Sequence, residues 1–462
     1  MPTTFSWTDE VRAAHAELSP FQASWLDFVA QRPEALAPEA FDLDRYGEIQ
    51  PEKIQPWPLF AGAESLRSIA EGVRDVMRLV GTIPLRIFGG EPDRIADFYG
   101  CTVDLARRVM TLIEGGCLPH LVARGDFLGG PQSFACCEMN VAGNLGGWQV
   151  GHWAERIAAS PLVAEFLARE RLRVSGTHPI RALFEHAAAV GVARGLAAEG
   201  ELTLALVTRG RVLPLLVKDA ARLWSQILES AGVGAGRFLI CDERELTEER
   251  GRTFLRGLRV HLFVDWGEEM KEGPIYRTQA AGQGFCFNGL VDPILSDKRN
   301  LALLSEQSEG DLYSAADRAL IARHIPWTRL LVEDYTDRAG DRVFLPEYVR
   351  QHRQHLVIKP GTGLGGKDVF VGPALGQDEW EARLDGALAA GTFLVQDFVP
   401  TSSYLFQAKE GGAAPHEIVW GSLLFGDRFG PLVLRGAVRG AGAVNIHRGA
   451  RYIVLLEVER AA

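Results

Sequence analysis

The chain has no apolar run long enough to span a bilayer, so a membrane-embedded protein is not expected. It also lacks basic excess. Its formal net charge is −10, whereas a surface that tracks phosphates normally makes a domain basic. A nucleic-acid partner is therefore not expected, although a local Arg/Lys pocket can still oppose the global sign. The six cysteines (Cys101, Cys117, Cys136, Cys137, Cys241 and Cys286) show no metal-ligand spacing and read as reduced, mostly buried thiols. Among eleven histidines there is neither H-x-x-x-H nor H-E-x-x-H. The opening MPTTFSWTDEVRA has no basic-then-apolar signal pattern, and a cytoplasmic location is expected. No internal repeat or low-complexity segment stands out. Apolar residues, by contrast, are plentiful: at 47% of 462 residues they can build a large core, and the length suggests two or three domains or lobes.

Two short stretches carry the chemistry. Arg124-Gly-Asp126 is followed by Glu138-Met-Asn140, reading R-x-D-x11-E-x-N. The flanks, Leu118–Val122 and Ser133–Asn140, suggest two adjacent strands. Residues two apart in a strand share a face, so two carboxylates, an amide oxygen and a guanidinium can converge. Hard oxygen ligands of this kind suit Mg²⁺, with phosphates and water completing its shell. The plainer alternative is a hairpin bearing a surface ion pair.

The second stretch is LVIKPGTGLGGKDVFVG, residues 356–372. Leu356–Ile358 reads as a strand ending at Lys359-Pro360, and Asp368–Val371 as its return. The glycines between them let backbone N–H groups approach phosphate oxygens, and the lysine adds point charge. The spacing is not that of G-x-x-x-x-G-K-[ST], and no helix follows as a dinucleotide fingerprint requires. A glycine-rich hairpin closing over phosphates fits, with an ordinary hairpin turn as the alternative. Phe393–Val399 reads as a strand running into a Pro400 linker that can offer backbone groups to an adenine edge. Lys298 precedes a predicted helix at Arg299–Glu306. Arg435 and Asn445 sit in apolar or Gly-rich segments expected to be strands.

Together these motifs resemble the circularly permuted ATP-grasp ligases, specifically the synthetase part of the glutathionylspermidine-synthase-like branch. The resemblance implies Arg124 as the catalytic arginine and Asp126, Glu138 and Asn140 as Mg²⁺ ligands. Lys298 and Lys359 match the nucleotide lysines, and Gly363, Gly365 and Gly366 the phosphate-covering loop. Gln396, Asp397 and Val399 fall on the adenine-contacting linker. Arg435 and Asn445 resemble the late "R…VTN" strands. Chain order agrees with the permutation, because Asp126 and Glu138 precede Lys298 and Lys359. The resemblance covers roughly residues 100–450, and no amidase-type domain is recognisable in front. The implied activity joins a small carboxylic acid to an amine (an amino acid, peptide or polyamine) through an acylphosphate, using ATP and Mg²⁺. A phosphotransferase acting on a small molecule and a non-catalytic nucleotide-binding protein remain alternatives. Oligomeric state is left open, a homodimer included.

The expected fold class is α/β with α+β lobes. Residues 1–100 read as mostly helical, with helical spacing over 8–48 and 64–81 and a Pro-rich break at 51–58. Residues 101–200 hold the metal and substrate part, with helical spacing over 92–114, 153–170 and 178–198. Residues 201–290 read as a small Rossmann-like parallel lobe: strand 203–207, helix 218–230, strand 237–241, helix 247–256, strand 260–264. Residues 291–462 are expected to form the nucleotide lobes, with 410–414 as a loop.

Overall fold

The computed structural model describes residues 7–36, 41, 43, 53–143, 145–208, 219–266, 273–363, 365–408, 412–440, 442 and 444–461. The protein is mixed α/β with several sheets. Among the described residues no helix is long and apolar enough to cross a membrane.

An antiparallel central sheet organises the molecule. Its strands run in the order Arg451–Ile453, Arg428–Val438, Ala413–Phe425, Val122–Leu128 and Ala135–Asn140, with Ser403–Gln407 pairing the early part of Ala413–Phe425. Strands far apart in sequence thus become neighbours. One face is covered by the helix Arg67–Arg86. Ile69, Val73, Val76, Val80 and Ile83 recur at three- and four-residue spacing, so one helical stripe is buried against the sheet. Gly125 permits that approach, since a Cβ there would sit 3.0 Å from Val73 Cγ2. The opposite face is polar at its centre and carries Arg124, Asp126, Glu138 and Asn140.

A second antiparallel sheet has the order Thr328–Leu330, Phe393–Asp397, Leu356–Pro360 and Phe370–Val371. It builds a separate small core with the helices Leu345–Gln351 and Gln377–Ala390, in which Val349, Ile358, Trp380, Leu384 and Val395 are buried together. The Trp380 indole N–H donates to the Val349 carbonyl at 2.9 Å, tying the two helices. Tyr404, Phe406, Ile418, Trp420, Leu434 and Leu456 belong instead to the large core that includes the N-terminal helices.

The small parallel sheet is present, in the order Phe285–Phe287, Leu262–Asp265, Leu204–Val207 and Phe238–Cys241. Helix Ala220–Ser230 makes the crossover between its first two strands in sequence. The helix expected over 247–256 does not form. Leu246–Glu249, Arg252–Leu255 and Leu258–Val260 make an antiparallel meander instead. The turn residues Arg250 and Gly251 have φ of 52° and 74°. Two successive positive values fit a tight hairpin whose twist matches the strands, and Thr253, Phe254 and Val260 favour strand over helix.

Other departures are local. The span 92–114 is two helices, Pro92–Tyr99 and Val103–Glu114, because Gly100 turns left-handed at φ 68° and ends the first. The span 153–170 divides at Ser160-Pro161, where proline starts the second helix. Within the expected strand around Asn445, residues 444 and 445 lie in irregular chain, and 441 and 443 fall outside the described residues. Glycines at 440 and 442, with φ of 83° and 84°, turn the backbone away from extended geometry. Ala413 and Ala414, expected in a loop, begin a strand, whereas 410 and 411 fall outside the described residues. The last part of the helical expectation over 8–48, residues 37–40, 42 and 44–48, falls outside them too.

Candidate active site

Register decides which side chains meet. Across the Val122–Leu128 and Ala135–Asn140 pair, Arg124 lies opposite Asn140 and Asp126 opposite Glu138. Directly opposed residues of antiparallel strands share a face, so the four expected residues do converge. A bulge follows at once, placing both Cys136 and Cys137 beside the Asp126–Phe127 step. The extra residue re-aims Cys137, whose thiol donates to the Asp126 carbonyl.

Asp126 is the hub. Its carboxylate is 4% exposed and meets Arg124 through Nε at 2.9 Å and Nη2 at 3.2 Å. Arg435 Nη2 approaches the second oxygen at 2.7 Å. Burial pushes this carboxyl's pKa up, but the Arg124 and Arg435 charges outweigh it and hold the group well below the ordinary range. Gly421 lies opposite Asp126 on the neighbouring strand, where a Cβ would come within 3.2 Å of both Asp126 Oδ1 and Arg124 Cδ. The absence of a side chain there gives the ion pair its space.

The other members are tied in by single contacts. Glu138, 26% exposed, pairs with Lys298 Nζ at 3.0 Å. The Asn140 amide donates to the Arg124 carbonyl at 3.3 Å, which leaves its oxygen available. Arg124 also donates to the Gly146 carbonyl at 3.1 Å.

The second sheet supplies the facing wall. Lys298 N–H donates to the Gly361 carbonyl at 2.8 Å and its ammonium to the Gly363 carbonyl at 3.0 Å, so one lysine joins the glycine loop to Glu138. Gly363, Gly365 and Gly366 have φ of 126°, 72° and 69°, conformations that side-chain-bearing residues rarely adopt. Lys359 is buried and donates to the Cys137 carbonyl at 2.5 Å and to Gln396 Oε1 at 2.7 Å. Burial lowers the pKa of Lys359. Gln396 passes the chain on, its Nε2 donating to Thr328 Oγ1 at 2.9 Å. Gln396 is therefore committed to Lys359 and Thr328 on both sides of its amide. Asp397 pairs with Arg338 at 3.0 Å.

Between the walls lies a cavity of about 160 Å³. Asp126, Glu138, Lys298, Lys359 and Arg435 give it charge of both signs, and Val357, Val371, Phe398 and Val419 give it apolar surface. Gly366, Gln396, Asp397, Val399 and Asn445 line it as well, whereas Arg124, Asn140, Gly363 and Gly365 are not among its lining residues. Several contributors escaped sequence reading. Val357 and Val371 flank the glycine loop and could have been found from it. Glu417 and Val419 lie in a long strand near the C-terminal end, and nothing in their local pattern separates them from other strand residues.

Two features bear on what the cavity can hold. Arg435 is buried, its Nη2 lies 2.7 Å from Asp126, and its Nε makes no hydrogen bond among the described residues. Buried guanidinium donors on a cavity wall suit an anion. No group of three or more His, Cys, Asp and Glu forms a metal cluster among the described residues. A magnesium ion held by one or two carboxylates together with phosphates needs no such cluster, and Glu138 with the Asn140 oxygen fits that pattern. Both Asp126 oxygens are already engaged by guanidinium groups, so Asp126 fits an anchor of Arg124 and Arg435 at least as well as a metal ligand. No protein-family model and no curated protein matches the chain.

Proposed function

We propose that this protein is an ATP-dependent ligase that joins a carboxylic acid to an amine, releasing ADP and phosphate. The reading rests chiefly on one observation: a cleft between two sheets pairs a buried acid–arginine cluster with two buried lysines and a glycine loop. Arg435 and Lys298 meet carboxylates across the cavity, but Lys359 has only neutral partners among the described residues, and a buried ammonium without a counter-charge is costly; a phosphate would supply that charge. The apolar lining from Val357, Val371 and Val419 suits the faces of a base.

In this proposal a substrate carboxylate oxygen forms a bond to the γ-phosphorus, ADP leaves, and an amine nitrogen then displaces phosphate from the acyl carbon. Phosphoryl transfer asks the protein mainly for position and charge neutralisation. Lys298 and Lys359 would neutralise phosphate oxygens, each held in place by a backbone carbonyl. Arg435, braced by Asp126 and with its Nε free of hydrogen bonds among the described residues, would grip the group in transfer. Arg124, braced by Asp126 and Gly146, would stabilise the oxyanion formed when the amine attacks. The glycine loop would exclude water from the reactive acyl group. Glu138 and Asn140, with Asp126, would hold Mg²⁺, which when bound draws charge from the phosphates.

The test is a screen of carboxylic acids and amines, amino acids included, for stimulated ADP release, with mass analysis of the product. Release of ADP and phosphate with an amide supports the ligase. ADP with a stable phosphorylated acceptor identifies a phosphotransferase instead, and no nucleotide turnover under any condition rejects catalysis.

A further inference from the structure

A second, larger cavity of about 660 Å³ shares no lining residue with the first. It lies where the start of Arg428–Val438 runs beside residues 454–457, under the helices Val150–Ala159 and Pro179–Ala193. Its volume falls in the range of small-molecule sites. The close approach of the two helices depends on Gly151, where a Cβ would collide with the His178 ring and the Pro179 ring.

The lining has two chemical parts. Leu66, Val150, Ala154, Leu432 and Leu456 make an aliphatic wall. Charge enters through Glu155, Glu185, Glu457 and Arg428. Glu185 and Arg428 satisfy each other at 3.2 Å. Glu155 and Glu457 have no ion pair among the described residues, and burial together with Glu459 raises the pKa of Glu457. His178 adds no positive charge: its Nδ1 accepts from Ile180 N–H at 3.2 Å, and burial lowers its pKa. An aliphatic wall beside two unpaired carboxylates is complementary to a short carbon chain ending in an ammonium group, and it repels a carboxylate of the same length.

We propose that this cavity is a binding site for a small aliphatic organic cation. The proposal does not depend on the ligase reading, because binding here needs neither nucleotide nor turnover. Charge-assisted hydrogen bonds to carboxylates would orient the ammonium group, and the aliphatic wall would cover the chain.

Isothermal titration of the full-length protein with hexylammonium, hexanol and hexanoate tests this. The expected result is hexylammonium binding with a dissociation constant on the order of a millimolar or tighter, and hexanoate at least about tenfold weaker. The double variant E155Q/E457Q should weaken hexylammonium by about tenfold or more and leave hexanol unchanged. Ala154→Phe, which fills the wall without touching charge, should abolish binding of both hexylammonium and hexanol; near-ultraviolet circular dichroism checks that each variant is folded. Equal affinity for hexylammonium and hexanoate, no binding at tens of millimolar, or full affinity in folded E155Q/E457Q would overturn the proposal. Loss of ATP turnover in the screen above would leave these results untouched.

Discussion

Replacing Asp126 by Asn separates an anchoring carboxylate from one that only holds metal. The side chain keeps its volume and loses its charge, while Arg124 and Arg435 remain buried beside it. Removing one partner of a buried pair typically costs about 3–5 kcal/mol, because the remaining charge is left uncompensated. Here two guanidiniums lose the same counter-charge, and Glu138 is already engaged by Lys298. A destabilisation of about 3 kcal/mol or more is expected, measured by urea unfolding followed through tryptophan fluorescence. Arg435→Gln in the Asp126→Asn background should recover part of that loss, since it removes one of the stranded charges. The carboxyl's pKa is lowered in the folded state, so its contribution is fully present above the unfolded value near 3.9 and is lost as pH falls below it. The difference in stability between wild type and Asp126→Asn should therefore be constant from about pH 5 to 8 and shrink only in stronger acid. A change below about 1 kcal/mol in Asp126→Asn at pH 7 would refute the anchoring argument, because it would place the cost in the range of a surface pair.

Four further outcomes follow from the same site. Glu138→Gln should lower Mg²⁺-dependent turnover strongly; an unaltered rate at saturating Mg²⁺ and ATP would remove Glu138 from the metal site. Lys359→Ala and Lys298→Ala should each weaken binding of a non-hydrolysable ATP analogue by about tenfold or more in calorimetry, and wild-type affinity in both would reject the nucleotide cleft. Arg124→Lys should keep ATP affinity and lose on the order of 10²-fold in amide synthesis, whereas lost affinity with normal turnover at saturation would assign Arg124 to the nucleotide. Gly421→Ala should cost about 1–3 kcal/mol in the same urea measurement and reduce turnover, since the new methyl meets the Val433 carbonyl at 2.5 Å and crowds Arg124 and Asp126; an undisturbed variant would mean that the sheet yields there.

Local pattern carried a good deal of this protein. The helix at Arg299–Glu306, the strand Leu356–Pro360, and the cross-strand meeting of Arg124 and Asp126 with Glu138 and Asn140 follow from residue spacing within one or two elements. Spacing could not settle 247–256, because Phe254 and Leu255 are its only apolar residues and two neighbours define no period. Backbone reversal at Arg250 and Gly251 decided that segment.

Tertiary structure alone brought Arg435, Glu417 and Val419 to the wall beside Asp126, across roughly three hundred residues of chain. It also revealed that both Asp126 oxygens meet guanidinium groups and that Gln396 is spent on Lys359 and Thr328. The physical reason is that sequence periodicity reports which face of an element is buried, not what that face meets. A strand's alternation sets the face of each side chain, but its ion pairs depend on which strand becomes its neighbour, in what register, and how closely a residue such as Gly421 lets the two approach.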